Sequence, residues 1–265
     1  MFWKNLDLLD QNLKKLNYQN KHSLAFHTGV ISTCFTVLFL VHAYEVLNWY
    51  SSGSYVIIYS YMNFRLCMYY QLLVVLMMCY ITRMLKLRID FLKRYLRKVM
   101  ARKRGVLWNV PQENESNEFQ EISKLYGTIY NSVKLFNYIF GWHIYFVIMA
   151  SVLEVLSSVS FGLTLFFYLK LERYVLINVL YTCIVLSCDR VEKSGRSFSE
   201  ACILLQRSIP ESSTRKGLRF LAQFSRGLVP EITSAGFYKI SQSVLMSILS
   251  TVATYVIISL QFNKV

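Results

Sequence analysis

The last apolar run of the chain is FYKISQSVLMSILSTVATYVIISLQF, residues 237–262. Between Lys239 and Lys264 no residue carries a charge, so the run exceeds the roughly 20 apolar residues with which an α-helix crosses a bilayer. This stretch predicts a membrane-spanning helix, and several similar uncharged runs occur upstream.

The composition indicates an integral helical membrane protein. Of the 265 residues, 54% are hydrophobic, 17% are charged and three are prolines. Soluble globular chains of this length seldom gather their apolar residues into such runs. The net charge of +14 would also suit nucleic-acid binding. However, the basic residues are concentrated between the spans, as in the cytoplasmic loops of membrane proteins, so we expect no nucleic-acid partner.

No pattern in the chain predicts catalysis, a metal or a cofactor. The six cysteines show no CxxC spacing, and four of them lie inside apolar runs, so neither a zinc site nor a disulfide framework is expected. The four histidines are scattered, and no GxSxG, HExxH or Walker sequence occurs. We therefore predict that the protein is not an enzyme.

The hydrophobic runs predict an all-α, polytopic transmembrane helix bundle that forms a single domain over residues 1–265. The third span would measure about 48 Å at 1.5 Å per residue, against a hydrocarbon core of roughly 30 Å. It must therefore tilt, protrude or break near residues 157–162. The five predicted spans are residues 24–47, 55–82, 136–167, 174–188 and 237–262.

The distribution of lysine and arginine predicts the orientation of the bundle. Residues 1–23, 83–134 and 189–239 hold 4, 12 and 9 basic residues, which is 25 of the 29 in the chain. The alternate side holds three. Because basic loops stay on the cytoplasmic side, we expect a cytoplasmic N-terminus and an extracellular C-terminus.

The cytoplasmic segments 83–134 and 189–236 are predicted to be helical extensions rather than plain loops. Apolar residues recur there at helical spacing and form one stripe after the second span; a similar stripe occurs in the first 16 residues. Such helices can lie on an anionic membrane surface or pack against each other, and we favour packing. The two stripes are Leu85, Ile89, Leu92, Leu96 and Val99, and Leu6, Leu9, Leu13 and Leu16.

The last predicted helix has a weakly polar stripe on an otherwise apolar surface. Its members are separated by four, four, three, four and three residues, so they share one face. Serine and threonine can instead bond to their own helix or join helices together, and that alternative stays open. Repeated around a symmetry axis, the stripe would line a water-filled pore without fixed charge. The stripe is Ser243, Ser247, Thr251, Thr254, Ile258 and Gln261.

A few ionisable and aromatic residues within the other spans are candidates for a ligand pocket. Arg65 and Glu154 lie at similar depths, roughly 12–15 Å below the outer boundary at 1.5 Å per residue, so they are placed to form an ion pair. An alternative is that this pair only stabilises the bundle, and that the aromatics belong to interfacial belts. The pocket candidates are His42, Glu45, Arg65, Tyr69, Tyr145 and Glu154.

The end of the last span resembles a known signature. Thr254-Tyr255, five largely apolar residues and then Gln261-Phe262 resemble the TYhhhhhQF motif of insect gustatory receptors, which are related to insect odorant receptors. Ser259 is the one position of the five that departs from the motif. The preceding residues 235–253 and NYIFGW at 137–142 are also similar to that family. The resemblance is close over the last 30 residues and loose over 24–262.

The resemblance implies a seven-helix chemoreceptor with a cytoplasmic N-terminus, in the plasma membrane of chemosensory neurons. It implies a homo- or hetero-tetrameric cation channel that is non-selective, is opened by a small-molecule tastant and is anchored by cytoplasmic helix ends. The last helix lines the pore: Ile258 matches a hydrophobic constriction, Gln261 a polar ring, and Tyr255 and Phe262 the signature aromatics. The tastant pocket lies in the outer halves of the first four spans present here.

Three other interpretations are considered at the level of the sequence. The five spans correspond to the last five of the family, so the first two helices are expected to be missing, and the chain is then a shortened receptor or a non-conducting fragment. A heptahelical receptor acting through G proteins would have the opposite orientation. A secondary transporter would show a pair of Gly/Pro-broken helices at mid-membrane, which the sequence lacks.

Overall fold

The computed structural model describes residues 2–16, 55–105, 115–160, 163–209 and 213–262, with a few helical positions between 32 and 47. Over these residues the chain is almost entirely helical, with one short hairpin. The elements are α1 (Phe2–Lys15), α2 (Tyr55–Gly105), α3 (Glu115–Ser160), α4 (Leu163–Arg207), α5 (Ser213–Gly227), β1 (Thr233–Ser234), β2 (Tyr238–Lys239) and α6 (Gln242–Phe262).

The chain divides into two compact units, Met1–Leu16 with Cys79–Val265 in one and Asn17–Met78 in the other. All contacts given below lie within the first unit. Among the described residues, one helical stretch, Glu118–Ala150 of α3, is long and apolar enough to cross a membrane. It overlaps the predicted third span over residues 136–150.

The predicted cytoplasmic stripes are buried inside the protein. Every member of the α2 stripe from Leu85 to Val99 is at most 3% exposed, and so are Leu9 and Leu13 of α1. Burial of these side chains supports packing of these helices against one another rather than on a lipid surface. An apolar side chain contributes about 1.5–3 kcal/mol when it is fully buried. Leu16, at the end of α1, is only partly buried.

Helices α2 and α4 run parallel and share a polar seam. Thr82 and Ser187 are joined by their hydroxyl groups, and Ser194 donates to Asp90 at 2.6 Å. Lys93 binds Ser197 further along the same seam. Both helices therefore leave the predicted membrane region in the same direction, as two spans with cytoplasmic extensions must.

Helix α3 runs alongside α5, and the two meet α4 around one buried phenol. The Tyr126 ring stacks on Phe198 of α4 with centroids 4.8 Å apart, and its hydroxyl donates to the Ser225 carbonyl at 3.5 Å. Helix α5 is amphipathic: its inner face is buried, and its arginines and lysine lie on the outer face. The buried residues of α5 are Thr214, Leu218, Leu221, Ala222 and Ser225.

The helix of the third span ends at Ser160, within residues 157–162, where the sequence predicted a break as one way to accommodate its length. Serines there compete for backbone hydrogen bonds. Two other helix boundaries differ from the predicted span limits. Helix α4 begins at Leu163 rather than at 174, since the intervening Leu, Lys, Glu and Arg residues all favour helix. Helix α6 begins at Gln242 rather than 237, because residues 238–239 belong to the hairpin.

Candidate functional site

Helix α6 carries its polar stripe on an accessible surface. Ile258 is 43% exposed, and Leu249, on the opposite face, is 61% exposed. Most of the described surface of this helix is therefore uncovered in the single chain, on the polar and on the apolar side alike. The predicted pore residues, all exposed, are Ser247, Thr251, Thr254, Ile258 and Gln261.

Both threonines of the stripe bond to their own helix. The Thr251 hydroxyl donates to the Ser247 carbonyl at 2.9 Å, and the Thr254 hydroxyl donates to the Ser250 carbonyl at 2.9 Å. This is the local bonding that the sequence left open as an alternative. It uses the hydroxyl proton only, so the oxygen of each threonine keeps lone pairs that can accept from water.

The signature residues are only partly described. Tyr255 is 38% exposed, and Thr254 is exposed on the stripe. Phe262 ends α6, but its side chain lies outside the described residues. The assignment of these residues to a constriction and a polar ring stays a prediction.

A hairpin connects α5 to α6 and packs closely against α3. Asn137 of α3 uses its amide twice: its nitrogen donates to the Glu231 carbonyl at 2.9 Å, and its oxygen accepts from the Thr233 backbone N–H at 3.3 Å. A Cβ placed on Gly141, one turn further, would lie 2.9 Å from the Ala235 nitrogen. Only a glycine lets α3 approach the hairpin backbone this closely.

The hairpin turn has two successive residues with positive φ. Ala235 has a φ of 49° and Gly236 a φ of 79°, a backbone conformation that tight hairpin turns use. The turn places Phe237 against Trp142 and Tyr145 of α3, with ring centroids 5.8 and 5.5 Å away. The aromatic contact and the Asn137 bonds thus hold the same hairpin from one side.

An ion-pair cluster holds the hairpin from the side of α4. Lys239 of β2 binds the carboxylate of Glu192 at 2.5 Å and that of Glu231 at 3.1 Å. Arg196 also binds Glu192, at 2.7 Å, and this hydrogen bond raises the pKa of the arginine. The Glu192 side chain is only 8% exposed, so its charge is compensated by two cations in a partly dehydrated site.

The predicted ligand-pocket residues are largely not described. His42 and Glu45 lie outside the described residues, and the side chains of Arg65 and Glu154 do as well. Tyr145 is described, and it lies beside Phe237 at the hairpin. Tyr69 belongs to the other compact unit and is partly buried. The pocket and the Arg65–Glu154 pair therefore stay predictions.

The family model for the 7tm chemosensory receptor matches residues 2–265 of the chain. The protein belongs to the 7tm chemosensory receptor family. The receptor is thus a membrane helical bundle, in agreement with the fold class predicted from the sequence and with the resemblance to insect gustatory and odorant receptors. None of the curated proteins compared with it matches significantly.

Sequence reasoning missed the residues that attach α6 to the rest of the receptor. Asn137 and Gly141 lie within NYIFGW, which the sequence identified only as a family-like stretch. Glu192 lies in a segment that the sequence predicted only as a basic, helical extension, with no role for this residue. Two sequence features point to such contacts. One is an acidic residue in a basic segment, and the other is a glycine inside an apolar helix.

Proposed function

We propose that this receptor is a subunit of a ligand-gated, non-selective cation channel for taste, located in the plasma membrane of chemosensory neurons. Helix α6 of each subunit lines the pore. A small-molecule tastant bound among the outer halves of the other spans opens it.

The observation that carries this proposal is the exposed polar stripe of α6. Polar side chains that face lipid are costly, and neither Gln261 nor Ser247 has a neighbour within the described chain that encloses it. A helix whose polar and apolar faces are both uncovered fits a position between water and protein. Copies of α6 around a symmetry axis provide that position, with the hydroxyl groups facing water and the apolar residues facing adjacent subunits or lipid.

The chemistry of the stripe suits weak selectivity among cations. It contains hydroxyl groups and one amide but no charged group. Oxygen atoms of this kind can replace part of the hydration shell of a cation, and without fixed charges the discrimination between Na⁺ and K⁺ is weak. Four subunits, from one gene or several, form the closed ring; rotational symmetry of this kind is usual for oligomers.

The test is agonist-evoked current in cells that express the receptor alone or with other gustatory subunits. A panel of tastants should evoke a cation current, and Gln261→Ala or Ile258→Ala should change its permeability ratio or its size. Leu249→Ala, a substitution on the opposite face of the same helix, is the matched control and should leave the permeability ratio unaltered. If a well-expressed receptor gives no current with any tastant in the panel, whether alone or with any partner subunit, the proposal is refuted.

A further inference from the structure

The segment between α5 and α6, residues 230–242, is held along its whole length. We call it the junction segment. On α3 it contacts the Asn137 amide and the Trp142 ring, as described above. On α4 it makes three successive contacts: Pro230 with Gly195, Lys239 with Glu192, and Gln242 with Lys193.

The contacts with α4 leave little freedom for movement. A Cβ on Gly195 would lie 2.4 Å from Cδ of Pro230, so the proline ring packs directly against the α4 backbone at this glycine. Lys193 donates to the Gln242 side chain at 3.0 Å in the first turn of α6. The start of α6 is therefore tied to the same turn of α4 that carries Glu192.

Glu192 is the residue on which this attachment depends most. Its Oε1 atom accepts from both Lys239 and Arg196, and its side chain is the most buried of the four charged groups in the cluster. The cluster has no net charge, because two carboxylates face two cations. Removal of the Glu192 charge would leave Lys239 with the half-exposed Glu231 as its carboxylate partner in this cluster.

Beyond Gln242 the packing of α6 changes. Three residues of the junction segment, Ile232, Ser234 and Ile240, are each at most 1% exposed. In contrast, Met246 is 70% exposed and Leu249 is 61% exposed. The last buried residue is thus Ile240, and every described side chain of α6 is partly or fully exposed.

We propose that the junction segment is a fixed pivot for α6 and that Glu192 is the positioning residue that holds it. Movement of α6 on ligand binding then takes place beyond Gln242, while the start of the helix stays attached to α3 and α4. The gating part of this inference rests on the proposed channel function. The attachment itself does not, and it can be measured without current.

The attachment is tested by the reactivity of a thiol placed in the pivot. Ser234 is fully buried, so Ser234→Cys should react slowly with N-ethylmaleimide in the intact receptor. Glu192→Gln in the same background keeps the Oε1 acceptor but removes its charge, and should raise the labelling rate about tenfold, which corresponds to about 1.4 kcal/mol of lost charge assistance. Glu200→Gln, which removes an exposed carboxylate from the same helix, is the matched control. Equal rates in the Glu192→Gln and control receptors would overturn the pivot.

The gating part is tested by current at equal surface expression. Glu192→Gln and Lys239→Met should each raise the ratio of agonist-independent to agonist-evoked current about tenfold, and the double variant should add little further. A ratio that stays at the wild-type value would overturn the role of Glu192 in gating. If the wild-type receptor carries no current, the channel proposal fails, and the labelling experiment still decides whether the pivot exists.

Discussion

Gly141 is a position where one added methyl group should destabilise the receptor. A Cβ there would lie 2.9 Å from the nitrogen and 3.2 Å from the Cα of Ala235, both backbone atoms of the hairpin. We expect Gly141→Ala to cost about 1–3 kcal/mol through overpacking, which outweighs the gain in helix propensity, and to lower the melting temperature of the purified receptor by a few degrees.

The matched control for this substitution is on the same helix. At Gly127 the nearest atom to an added Cβ is the Phe224 ring at 3.6 Å, an ordinary contact. Gly127→Ala should therefore stabilise the receptor by up to about 1 kcal/mol, since alanine is the better helix former. Loss of stability at both glycines would contradict the claim that the hairpin approaches α3 at one specific point.

Asn137 provides a second prediction at the scale of a single residue. Asn137→Leu keeps the approximate size of the side chain but removes its bonds to the Glu231 carbonyl and the Thr233 N–H. The loss of these partners for partly buried backbone groups should lower the free energy of unfolding by about 1–3 kcal/mol. Thermal melting should show this loss, whereas Asn131→Leu, on the exposed side of α3, should change the melting temperature little. Identical melting curves for the two variants would contradict the assigned role.

Among the helices, α1 is joined to α2 by an ion pair in addition to its buried leucine stripe. Arg88 of α2 makes two hydrogen bonds to Asp10, at 2.9 and 2.8 Å, and its own side chain is 3% exposed. Asp10→Asn leaves this buried arginine without a carboxylate, which should cost about 3 kcal/mol. Proteolysis of α1 should become faster, while Asp7→Asn, an exposed site on α1, should have no effect.

The same pair allows a rescue experiment. Replacement of both partners, Asp10→Asn with Arg88→Met, removes the unpaired buried charge together with the bond. This double variant should resist proteolysis better than Asp10→Asn alone. A double variant cut as fast as the single one would contradict the view that the unpaired arginine causes the loss.

Helix periodicity predicted the cytoplasmic packing well, but it did not predict the hairpin. The α2 stripe is buried as expected, because a spacing of three and four residues places Leu85 to Val99 on one face. Residues 237–241 were assigned to the last span since they are apolar and lie next to an uncharged run. The hairpin that contains Tyr238 and Lys239 is held by contacts with Asn137 and Glu192, which are far away in sequence, so the apolar pattern of residues 237–241 does not reveal it.

At the scale of the whole molecule, the distribution of basic residues makes a prediction about orientation. Asn114-Glu115-Ser116 is an acceptor sequence for glycosylation, and we expect it to stay unmodified because the distribution of basic residues predicts a cytoplasmic location for it. A C-terminal tag should bind antibody on intact cells. Glycosylation at Asn114, or labelling of the tag only after permeabilisation, would contradict the predicted orientation and would favour the G-protein-linked alternative.

The buried thiol of Cys202 should react slowly with thiol reagents. Burial raises the pKa of Cys202 to about 12, so this residue stays in the unreactive thiol form at neutral pH. At pH 9 Cys202 should therefore still be labelled far more slowly than an introduced, exposed cysteine, because a much smaller fraction of it is thiolate, as mass spectrometry of the labelled peptides would report. Equal labelling rates at pH 9 would contradict the burial of Cys202.

The central claim is that the polar stripe of α6 faces the ion pathway. The most direct measurement is block of the agonist-evoked current by a charged thiol reagent in receptors that carry one introduced cysteine. Cysteine at Thr251 or Thr254 should allow rapid, irreversible block, and cysteine at Leu249 should not. Equal block at Leu249 and Thr251, or block at Leu249 alone, would contradict the claim.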